Sequence, residues 1–132
     1  MKKLAERFVT LEREIAQEKG DVSLFALFLR ESDIERWDVV VAAPWVDQDY
    51  AKALRYLGDK LQQALTIDDL MQLSHIALVE GNNPDLPTVL QTVNVEHGLV
   101  EMRDQEFFGH TIKHAYFITS QPLLAKELRP AA

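Results

Sequence analysis

Trp37-Asp38-Val39-Val40-Val41-Ala42-Ala43-Pro44-Trp45 is the run from which the architecture of this chain follows. Branching at Cβ restricts χ1 of the three valines and favours extended backbone. The run does not alternate apolar with polar residues, as a strand wetted on one face would. It therefore reads as an interior strand covered on both sides. Pro44 has no N–H to give a ladder, so pairing should end by Ala43. Asp47 then offers an N-cap for a following helix.

N-terminal to this ribbon, residues 3–19 read as an amphipathic helix. Leu4, Phe8, Leu11 and Ile15 fall on one face. Glu6, Arg7, Glu12, Arg13, Glu14 and Glu18 take the remainder, and Gly20 is a suitable stop. Residues 22–30 are nearly continuously apolar and read as a strand. A turn over 31–36 suits an antiparallel return into Trp37.

C-terminal to the ribbon, residues 47–65 carry a helical stripe of Tyr50, Leu54, Leu57, Leu61 and Leu65. Gly58 inside that pattern implies close backbone packing. Thr66 opens a capped short helix over 67–73. Residues 75–80 read as a strand joined to the ribbon by a right-handed parallel crossover. Gly81-Asn82-Asn83-Pro84 is a turn, and a short helix opening at Asp85 or Pro87 runs to about Val93. Val95–Met102 reads as a strand interrupted near Gly98, Arg103–Glu106 as a turn, and 107–119 as a segment ending in a strand. Pro122 opens a last helix with Leu123, Leu124 and Leu128. The sum is one domain over residues 1–132, α/β or α+β, in two or three layers. Its mixed sheet has about five strands, in the order α-β-β-α-β-α-β-β-α.

At 132 residues, with 47% hydrophobic and 27% charged residues, the chain is long enough to bury a core. A net charge of −7 disfavours non-specific nucleic-acid binding and anionic membrane surfaces. The absence of cysteine excludes disulfides, thiolate nucleophiles and Cys-bearing zinc sites. Met1-Lys2-Lys3 is followed by a charged amphipathic segment in place of an apolar leader, and no apolar run approaches a membrane span. A cytoplasmic protein is the expectation.

Candidate chemistry follows from the crossover. Loops 44–49 and 80–86 should leave the carboxyl edge of two parallel strands, where ligands of open α/β sheets bind. They hold Trp45, Asp47, Asp49, Glu80, Asn82, Asn83 and Asp85. An indole, four carboxylates and two amides could hold a divalent cation or orient a polar small molecule, provided that at least three of the carboxylates converge. The same residues also have local reasons to be there, as helix caps, turns and core. His110 and His114, four apart, would share one face of a strand about 13 Å from each other. His75 and His97 have no partner legible in the sequence. Phe107, Phe108, Tyr116 and Phe117 read as core, since the dispersed basic residues leave a nucleic-acid platform without its charge. No serine lies in a nucleophile-elbow context and no glycine cluster cradles phosphate.

No cofactor and no catalytic residue is assigned. The leading expectation is a non-enzymatic interaction or accessory domain that acts through protein–protein contacts and self-associates as a homodimer. The alternatives are a small-molecule or divalent-metal enzyme at the two loops, and an acidic adaptor for a basic protein partner.

Overall fold

The computed structural model describes residues 2–31 and 35–122. The valine ribbon is strand β2, Trp37–Ala42, and every residue of it is buried. It lies between β1, Leu24–Arg30, which pairs with it antiparallel, and β3, Leu73–Leu78, which pairs with it parallel. On the other side of β1 lies β5, His110–Ser120, and then β4, Val100–Phe107, both joined antiparallel. The mixed five-stranded sheet therefore has the order β3-β2-β1-β5-β4. This is the α+β architecture that the element pattern implies.

Period two within the strands sorts side chains to two faces. One face takes Phe25, Leu27, Leu29, Trp37, Val39 and Val41. It is covered by helix α1, Lys2–Lys19, through Leu4, Phe8, Leu11 and Ile15, and by helix α3, Tyr50–Ala64, through Ala53, Leu57 and Leu61. The other face takes Leu24, Ala26, Phe28, Val40, Ala42, Ala115 and Phe117. A short helix, numbered α5 in chain order, covers part of this face. It spans only Leu86–Thr92 and contributes Leu86, Val89 and Leu90. The two remaining helices, α2 (Pro44–Gln48) and α4 (Ile67–Met71), are single turns. No helix among the described residues is long and apolar enough to cross a membrane.

Several boundaries differ from the sequence reading, each for a local reason. Pro44 starts a separate turn of helix, α2, so Asp47 lies within that turn and caps nothing. Asp49, in extended backbone, is the cap of α3, its carboxylate accepting from the Lys52 N–H at 3.1 Å. The buried stripe of α3 is Ala53, Leu57 and Leu61. It leaves Tyr50 and Leu54 exposed. A Cβ on Gly58 would meet nothing within 4 Å, so no close approach requires that glycine.

The expected turn at Arg103–Glu106 is strand. Its polar residues are the wet side chains of an edge strand, which sequence alone does not separate from a loop. The chain reverses at Phe108-Gly109, with φ of 55° and 75°. Positive φ at both central residues matches the right-handed twist of the flanking strands, and Gly109 adopts it without a steric penalty. Val95 contributes a single bridge to Ser120, ahead of β4. The helix expected from Pro122 through Leu123, Leu124 and Leu128 lies outside the described residues.

Strand β5 carries two irregularities against β1, between Phe25 and Ala26 and between Leu29 and Arg30. Each sets one extra β5 residue against β1. The second falls between Ile112 and His114, and side chains on its two sides change faces. Ile112 joins the α5-covered face, whereas His114 packs on Trp37 and Tyr116 of the opposite one.

Candidate functional site: a half-open sheet face

Helix α5 is too short to cover its face. What it leaves bare is a cleft of about 600 Å³ over β3, β2 and β1. The β4–β5 turn walls it on one side and the Glu80–Pro84 loop on another. Phe28 forms an aromatic wall with its neighbours, stacked on Phe107 at 5.5 Å and tilted against Phe108 at 6.5 Å.

Directly across the β1–β2 register from Phe28 stands Asp38, only 5% exposed. A carboxylate taken out of water needs countercharge and hydrogen bonds. Two neighbouring strands bring nitrogen groups to it, and the Arg30 guanidinium is the fixed countercharge. Arg30 of β1 places Nε 2.9 Å from Asp38 Oδ2, and His75 of β3 places Nδ1 3.1 Å from Oδ1. The hydrogen bonding is incomplete: Oδ1 is buried and accepts no aligned hydrogen bond among the described residues. His75 Nδ1 lies close enough for an ion pair but also faces the Ser74 hydroxyl at 3.3 Å. Hydrogen-bond strength falls steeply with misalignment, so proximity to His75 does not satisfy Oδ1. His110, exposed at the end of the β4–β5 turn, completes the rim.

Of the residues expected from the loops, three border this cleft: Glu80, Asn82 and Asn83. Glu80 and Asn82 also share a smaller depression with Asp47. There Asp47 receives the Gly81 N–H on both carboxylate oxygens, at 3.0 and 3.2 Å. This ties α2 to the β3–α5 loop. The other expected residues are engaged elsewhere. Asp49 caps α3, and the exposed Asp85 gives its backbone N–H to Asn83 Oδ1 at 2.9 Å. Trp45 is core on the α1–α3 side, edge-on to Tyr56, with the Lys19 ammonium 5.9 Å from its ring. Of the four carboxylates, only Asp47 and Glu80 come to one cavity. Among the described residues no group of three or more His, Asp or Glu is arranged to hold a metal ion. His110 and His114 do not share a face, because of the extra β5 residue between them.

Sequence reasoning missed Arg30, Asp38, His75 and His110 as a group. One signal was present: Asp38 is a charged residue inside a strand read as covered on both faces, and such a residue requires a partner. The identity of the partners was not legible, since it depends on the alignment of three strands.

A second buried polar centre lies between α1 and β5. Glu12, with no exposure at all, accepts from the Thr119 hydroxyl at 2.9 Å and contacts His97 Nδ1 at 2.5 Å. The sequence reading set Glu12 on the wet face of α1. Its position at the edge of the stripe, beside Leu11 and Ile15, turns it inward.

No family model, curated protein or solved structure matches this chain.

Proposed function

We propose that this chain binds a small organic molecule in the half-open face of its sheet. The observation that carries the reading is Asp38. It is a buried carboxylate on the floor of a roughly 600 Å³ cleft, with one oxygen paired to Arg30 and the other without an aligned donor. Cores rarely keep such an atom, and a ligand donor would satisfy it. Cleft size and lining agree with this use, since small-molecule sites combine an apolar body with a few convergent polar groups. Glu80, Asn82 and Asn83 form one rim, while the floor comes from strand residues. A fragment screen followed by NMR tests the proposal. Binding should move the side-chain resonances of Phe28, His75 and Phe107 together. A screen in which hits perturb only other surfaces would overturn it.

A second reading is a self-associating interaction domain. It is favoured by Ile67 and Met71, four apart on α4 and 77% and 65% exposed. Sedimentation velocity should then show a dimer at tens of micromolar that Met71→Glu dissociates; a compact monomer would remove the reading.

A further inference from the structure

Resting on the reading of this cleft as a ligand site, we infer that the ligand is a neutral, flat ring bearing a lactam edge, an N–H beside a C=O. The inference starts from the charges on the cleft floor. The Arg30 guanidinium and the Asp38 carboxylate stand side by side, joined through Nε and Oδ2 at 2.9 Å. Arg30 makes no other side-chain ion pair or hydrogen bond among the described residues, so its two Nη groups remain as donors. Asp38 Oδ1, with His75 Nδ1 3.1 Å away but without an aligned donor among the described residues, remains as a buried acceptor. The floor thus offers one acceptor and one donor group, next to each other.

An anionic ligand group drawn to Arg30 would have to sit against the buried Asp38 carboxylate. A cationic group drawn to Asp38 would have to sit against the guanidinium. Either meets like charge at close range, and on the Asp38 side, only 7% exposed, that repulsion is weakly screened. A neutral edge with its own donor and acceptor side by side meets neither penalty. Its N–H satisfies Oδ1, and its carbonyl accepts from Nη. The lactam edge of a heterocycle, as found in hydroxypyridine-type rings and in several nucleobases, has this order of groups.

The ring body is argued from the wall. Phe28 is the direct cross-strand neighbour of Asp38 and belongs to the Phe28–Phe107–Phe108 group. A flat π-system whose edge reaches Asp38 would lie along aromatic side chains, where offset or edge-on contact adds to burial. His75 and His110 at the margins supply further ring contacts or hydrogen bonds without a fixed charge.

The test uses the full chain and four probes: carbostyril, N-methylcarbostyril, benzoate and benzamidine. Each is titrated while the resonances of Phe28, His75 and Phe107 are followed. Carbostyril is expected to shift all three and to bind about tenfold or more tightly than its N-methyl analogue, which cannot donate to Oδ1. In Asp38→Asn, with folding checked by its spectrum, the amide oxygen keeps Arg30 and the NH2 puts a donor in place of Oδ1, so that preference should collapse. Equal binding of the two carbostyrils, or a preference for benzoate or benzamidine at the same resonances, overturns the lactam assignment and leaves the cleft as a ligand site. If no probe or screening fragment moves these resonances, the cleft reading falls and the lactam inference falls with it.

Discussion

Single side chains decide more here than their surroundings suggest, and Glu12 is the clearest case. It is enclosed between α1 and β5 with His97 and the Thr119 hydroxyl as partners. Truncation would strand both partners, so Glu12→Ala should cost about 3 kcal/mol in a urea melt. A smaller loss when His97→Ala is already present would show that the two act as a pair. The carboxylates also set the acid limb of stability. For Asp69, burial alone would raise the pKa, but Thr66 and Arg7 outweigh it and hold it below the ordinary range. Glu101 is lowered by its hydrogen bond to His114, and Glu18 by those to Lys60 and Tyr56. A carboxyl depressed in the folded state stabilises it above the unfolded value, about 4, and loses that contribution as pH falls through the folded value. Stability should therefore decline below about pH 4, and Asp69→Asn should flatten that limb. Tyr116 is raised, chiefly by burial. Its contribution is complete below about pH 10 and is lost as the pH climbs beyond that. Chemical denaturation across pH checks both limbs.

Among the elements, the β4–β5 hairpin and α5 between them shape the cleft. The hairpin depends on left-handed backbone at Phe108 and Gly109. A Cβ on Gly109 would meet nothing within 4 Å, so Gly109→Ala isolates the conformational cost. That cost should be about 1 kcal/mol, read as a lower melting temperature with the native spectrum kept. The periodicity of α1 is legible in its sequence because its buried stripe is spaced by the helix itself. The start of α3 is not, because two candidate caps, Asp47 and Asp49, stand two residues apart. Pro44 at the head of α2 decides between them. Strand β4 was hidden for another reason. An edge strand with one wet face carries polar residues that look like a turn until its partner is known.

Among the described residues, α1 and α3 and the single turns α2 and α4 pack on one face of the sheet, and the short α5 packs on the other. The sheet's amides should follow that plan in hydrogen exchange, slowest in the enclosed strands β1, β2 and β5. They should be faster in β3 and β4, the outer strands of the sheet among the described residues. Exchange in β2 as fast as in the edge strands would contradict the arrangement. The order of residues was enough to establish the valine ribbon as an interior strand, the amphipathic stripe of α1, the parallel crossover and the mixed sheet. Each is written in short-range periodicity, β-branching and helix-stop residues, which act within a few positions of the chain. Which side chains meet in the cleft was settled in three dimensions. Arg30, Asp38 and His75 come from three strands, and their meeting depends on strand alignment. The extra residue in β5 that parts His110 from His114 depends on it as well. Alignment is set by the packing of whole faces, and a one-residue shift sends every side chain to the opposite side.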